Sequence, residues 1–173
     1  MGMIANYMII DDISLFELER LDTDAFFNKI EDFQDMEEDF PICDIDKIWN
    51  GLYFLLTGKS EPDDLEPEDF TEYSKNIFVF GQEYFEHEEF ISCIKNKTLK
   101  EILPEIEKIN FKSLYNSFNI SEFKKADIYP HNMWDNEEEK ELLFEEMEMA
   151  FEEMKALFKK ALKLGKNILV TIY

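Results

Sequence analysis

The sequence predicts a protein of the α/β class with α+β character, a small central mixed sheet of three to four short strands packed by several helices. Three stretches carry that expectation. Residues 3–10 and 167–173 are short, β-prone and mostly apolar, which marks them as buried strands. Before the second of them, residues 136–164 repeat Leu143, Met147, Ala150, Met154, Leu157, Ala161 and Leu164 at alternating steps of four and three, the period of an amphipathic helix. At 1.5 Å per residue that helix would be on the order of 40 Å long.

Taken in order, the first strand gives way at Asp11-Asp12 to Ser14-Leu-Phe-Glu17, a capping box that starts a short helix. A second helix is expected over 24–33, where Ala25, Phe26, Ile30 and Phe33 fall near helical spacing and Asp22, Thr23 or Asp24 can cap it. The acidic run 31–39 lacks the ligand alternation and turn glycine of a calcium loop, so it reads as a solvated helix end or loop. Residues 44–58 form the next helix: Ile45, Ile48, Trp49, Leu52, Leu55 and Leu56 share a face, Asp44 or Asp46 caps it and Gly58 closes it.

Residues 59–76, rich in Pro, Asp, Glu and Ser, read as a surface loop. Ile77-Phe-Val-Phe80 then reads as a third buried strand, closed by Gly81. An amphipathic helix is expected over 85–95, and a second capping box, Thr98-Leu-Lys-Glu101, starts another that Pro104 must interrupt or kink. Asn110 can cap residues 111–118, and Asn119 or Ser121 a turn or two up to Ala126. Residues 127–134 form a non-helical connector, because Pro130 pushes Tyr129 toward extended backbone. Asp135 caps the long helix, whose Phe144, Phe151 and Phe158 widen its apolar face beyond a two-helix seam and so favour packing on a sheet over a coiled coil. Gly165 ends it.

Composition bounds the rest. A chain of 173 residues with 45% hydrophobic residues and 17 Phe is expected to form one domain, 1–173, around a sizeable core. Lys and Arg number 18 against 40 Asp and Glu, a net charge of −22 that repels phosphate backbones and anionic membranes. Cys43 and Cys93 lack the spacing of a zinc site or a disulfide framework. No segment resembles a leader or a membrane span, so a cytoplasmic protein is expected.

Four segments together resemble the YfbM-like or DUF1877 family of bacterial proteins of unknown function. They are Met1-Gly-Met-Ile4, Asp44-Ile-Asp-Lys-Ile-Trp49 running on to Leu55-Leu-Thr-Gly58, Asp127-Ile-Tyr-Pro130 shortly before Trp134, and Gly165-Lys-Asn-Ile-Leu-Val170. The resemblance covers nearly the whole chain. It implies a small sheet with helices packed on it, a soluble bacterial protein and no established activity. Residues 59–76, acidic and without glycine, depart from the family pattern.

The two segments that carry most of this resemblance also hold the candidate site residues: Asp44, Asp46, Trp49, Tyr129, His131 and Trp134. His131 beside an aspartate could move a proton. The plainer reading is that Asp46 caps a helix, both tryptophans fill the core and His131 sits on a surface turn. His87 among glutamates is read as solvated. No nucleophile elbow, P-loop, zinc-protease or dinucleotide motif occurs, so no cofactor and no metal are expected. The reading favoured is an acidic, non-enzymatic binding protein for a basic protein partner, a monomer or weak dimer. The alternative is a small-molecule enzyme with a pocket near Asp46, Trp49, His131 and Trp134.

Overall fold

The computed structural model describes residues 2–36, 38–62, 69–87 and 89–173. Among them lie five strands, β1 (Ala5–Ile10), β2 (Ile42–Asp44), β3 (Glu83–Tyr84), β4 (Phe90–Ile94) and β5 (Asn167–Ile172). They form one sheet in the order β2-β1-β5-β4-β3 with every neighbouring pair antiparallel. The sheet therefore has five strands rather than three to four, and it is antiparallel rather than mixed.

Helices cover both faces. Ala5, Tyr7 and Ile9 of β1 and Ile168, Val170 and Ile172 of β5 turn toward a thick layer of α3 (Trp49–Thr57), α4 (Phe70–Phe80), α5 (Asn96–Glu107), α6 (Ile120–Lys125) and α7 (Lys140–Leu164). Met8 and Ile10 of β1, Ile91 and Cys93 of β4 and Leu169 turn to a thin layer of α1 (Asp12–Leu18) and α2 (Thr23–Gln34). With both faces covered, β1 and β5 bury successive residues instead of every second one, which is why each reads in the sequence as a mostly apolar run without strict alternation.

The terminal strand and the long helix stand where the sequence placed them. The broad stripe of α7, Phe144, Phe151 and Phe158 included, packs against α5, the sheet and the 3-10 turn Phe111–Asn116, although Leu164 at its end is exposed. Gly165 and Gly58 close α7 and α3 at φ 66 and 73, left-handed backbone that only glycine enters without cost. The cap of the last segment differs: Asn136 caps a 3-10 turn, Glu137–Glu139, that leads into α7. Asp135 instead pairs with Lys124 at 2.6 Å.

Four expectations are overturned. The predicted helix over 44–58 begins only at Trp49, because residues 42–46 are drawn into the sheet. Ile45 N–H donates to Ala5 C=O at 3.1 Å and Ala5 N–H to Asp46 C=O at 3.0 Å. Asp44 accepts from Asp46 N–H at 2.7 Å, a local turn that holds Asp46 at a φ of 46. The predicted loop over 59–76 ends early, since α4 starts at Phe70 with Asp69 as its cap; residues 63–68 lie outside the described ones.

Residues 77–80 are the last turn of α4 and not a strand. They are buried on all sides, and a four-residue apolar run has no period that could tell strand from helix. Residues 85–95, expected as a helix, instead contain β4, which pairs with β3 as a hairpin and with β5 on its other side. Smaller shifts follow the same logic: Asp11, not Ser14, caps α1. Thr98 lies inside α5, donating to Gln82 Oε1 at 2.6 Å, and the helix runs through Pro104 to Glu107. Asn110 makes no capping bond, whereas Asp22 and Asn119 cap α2 and α6 as the sequence allowed.

Candidate functional site

The turn between β2 and α3, the connector before α7 and the outer flank of α7 enclose one long groove. At one end, Tyr129, Pro130, His131, Asn132 and Glu139 surround an open hollow. Lys47 and Met133 border both that hollow and the central cleft, about 280 Å³, which adds Ile45, Ile48, Glu146, Met149 and Ala150. Asp44 and Glu153 carry the groove on beside β2 to Ala156 and Lys160. From Glu139 to Lys160 this wall rises about 1.5 Å per residue, so the groove is on the order of 30 Å long.

Its chemistry is acidic over an apolar floor. Asp44, Asp46, Glu139, Glu146 and Glu153 line it against Lys47 and Lys160. Among the described residues no Lys, Arg or His comes within ion-pair distance of Asp44, Asp46, Glu146 or Glu153. Their field is therefore left for a ligand or solvent. Met149 is 59% exposed on the rim, with Leu142 two turns earlier 54% exposed on the same flank of α7.

The six residues singled out in the sequence divide between groove and core. Asp44 and Asp46 stand on the groove wall, exposed. Tyr129 and His131 line its open end, with Tyr129 stacked on Trp49 at 5.8 Å between centroids and the His131 ring edge-on to Tyr129 at 6.2 Å. Trp49 is buried behind them, its Nε1–H donating to Met3 C=O at 3.3 Å. Trp134 is 1% exposed and donates to Ile128 C=O at 2.9 Å, so it belongs to the core beneath the groove.

His131 Nδ1 lies 3.0 Å from a carboxylate, that of Asp127 and not Asp44 or Asp46. Those two side chains are 63% and 85% exposed, so water competes with any substrate for them. Asn50, buried at the start of α3, ties the assembly together: it donates to Ser60 C=O at 2.8 Å and accepts from Tyr129 N–H at 2.9 Å. It thereby ties the connector to α3. Among the described residues no cluster of three or more His, Cys, Asp or Glu side chains could hold a metal ion.

The α7 contribution, Glu146, Met149 and Glu153, was not foreseen. Its signal was present as a second stripe, Leu142, Glu146, Met149, Glu153, Ala156 and Lys160, at the same steps of four and three as the buried one. Cys43 and Cys93 are free and buried. Burial pushes each thiol up to about 12, with Glu153 and Asp44 adding to the push on Cys43. Neither is a thiolate near neutral pH, so the native protein is expected to resist an aromatic disulfide reagent that labels both cysteines at once in denaturant. Fast native labelling would show the thiols to be more open than they stand here.

The model of the domain of unknown function DUF1877 matches residues 1–171. The chain belongs to that family. Among solved structures it is similar to YfbM from Escherichia coli, a protein of unknown function. The two are 23% identical, with a TM-score of 0.75 over 98% of this chain and 99% of that one, a likeness of fold. No curated protein matches by sequence. Among the described residues of this DUF1877 member, no helix is long and apolar enough to cross a membrane.

Proposed function

We propose that this DUF1877 protein is a non-enzymatic binding protein of the bacterial cytosol, acting as one domain, whose groove beside α7 receives a basic segment of a partner protein. What carries the reading is the line of Asp44, Asp46, Glu146 and Glu153, which form no ion pair among the described residues, beside Ile45, Ile48 and the rim residue Met149. Carboxylates that outnumber the lysines beside them raise the local concentration of a positive partner, and the apolar floor takes the methylene stems of its lysines or arginines. The net charge of −22 adds a long-range steering field. Two free cysteines held without a disulfide fit a reducing compartment.

The test is a lysine-rich peptide titrated at low and high salt against the protein and against a Glu146→Lys/Glu153→Lys variant. Each reversal replaces an attraction by a repulsion of about 1 kcal/mol at a partly solvated site, so the pair is expected to weaken binding at low salt by tenfold or more. Glu146 is half-buried and Glu153 exposed at the groove rim, so the melting temperature is expected to stay within a few degrees. Binding that ignores both salt and the two reversals overturns the assignment.

A further inference from the structure

We infer that the partner enters as an extended peptide and adds to the free edge of β2 as a sixth strand. This rests on the groove being the binding site and names how it is used. The ladder between β1 and β2 runs through Ile9 N–H to Pro41 C=O at 2.9 Å and Ile45 N–H to Ala5 C=O at 3.1 Å, with Tyr7 opposite Cys43 between them. Bonded residues alternate along an antiparallel pair, so Ile42 and Asp44 turn their N–H and C=O groups away from β1. Since β2 is the last strand of the sheet, those groups face outward, and no described residue hydrogen-bonds to them. A helix laid in the groove has its own backbone satisfied and could not use them; an extended chain can.

The charges beside that edge select the peptide. Side chains of an added strand alternate between the two faces of the sheet. Toward α7 they meet Glu146 and Glu153, and along the edge itself Asp44. Burial pushes up the Cys43 thiol beside that edge, and Glu153 and Asp44 add to the push. The occupant is therefore basic on the face it turns to α7. A second copy of this chain, at −22, and a nucleic acid are repelled by the same field. The opposite edge offers no equivalent, since β3 has two residues and Glu83 there sits 3.8 Å from Lys95.

The experiment uses the full chain and two synthetic probes: a lysine-rich peptide with alternating valines, and the same peptide N-methylated at every residue, which keeps its charges and loses its backbone donors. Hydrogen exchange is followed at Ile42 and Asp44 by NMR while affinity is measured at low salt. The expected result is exchange slowed tenfold or more at both amides under saturating parent peptide, and affinity for the methylated probe lower by tenfold or more, the worth of two or so net hydrogen bonds. Equal affinity for both probes, or binding that leaves Ile42 and Asp44 unprotected, overturns the added strand while leaving the acidic groove as the site. No binding of either probe at low salt overturns the groove itself and this inference with it.

Discussion

Replacing Trp134 by alanine is expected to lower the free energy of unfolding by about 3–5 kcal/mol. The indole is the largest fully buried side chain of the structure, packed at 4.6 Å between centroids on Phe123 and pressed edge-on against the backbone of α3 at Gly51. Its removal opens a cavity where α3, α6 and α7 meet. It also leaves the carbonyl of Ile128, a residue with no exposed surface, without its donor. Urea unfolding should show the midpoint falling at an unchanged slope. Trp134→Phe keeps most of the ring and loses the hydrogen bond, so its cost should be about 1–2 kcal/mol. A loss below about 1 kcal/mol for the alanine variant would mean that the indole does not hold the connector against α3.

The second large effect is expected at Gly51, where alanine is normally the better helix residue by about 1 kcal/mol. Here the ordinary preference is reversed. A Cβ at Gly51 would lie 2.5 and 2.6 Å from two carbons of the Trp134 six-membered ring. Neither side can yield cheaply, because the ring is held by Ile128 and Phe123 and the helix by Asn50 and Leu52 beside it. Gly51→Ala is therefore expected to cost about 1–3 kcal/mol or more.

In the Trp134→Ala background the space exists, and the same substitution should then be neutral or stabilising. The double-mutant cycle is expected to show a coupling of about 2 kcal/mol or more, with the sign of the Gly51 effect inverting between the two backgrounds. Additive effects would show that the ring moves freely over α3. Because Trp49 and Tyr129 sit on the other side of the same helix start, a loosened Trp134 should also weaken the groove's open end.

The divide between what was legible and what was not follows from length and burial. Residues 140–164 carried seven turns of a single period, so no neighbour was needed to recognise α7, and Gly165 marked its end. Residues 77–80 are a short apolar run buried on all sides, with no polar face from which a period could be counted; residues 85–95 instead interleave apolar residues with Glu and Lys at a helix-like spacing, which the pairing of β4 with β3 and β5 overrode. Residues 42–46 had the composition of a helix start, yet pairing with β1 outweighed it, since backbone bonds to Ala5 and the Asp44 turn satisfy groups that a helix would otherwise use.

For the site, the sequence pointed to two segments, and the fold brings both to one groove, yet it places Trp134 in the core and supplies Glu146, Met149 and Glu153 from a helix a hundred residues away from Asp44. By itself the sequence determined the family, the α and β character, the long final helix and strand, and the acidic field, because each is written in local period, local caps or summed charge. Only the tertiary structure decided which strand became the sheet's edge and which flank of α7 was left bare beside it. Those depend on contacts between residues far apart in the chain, and no local pattern records them.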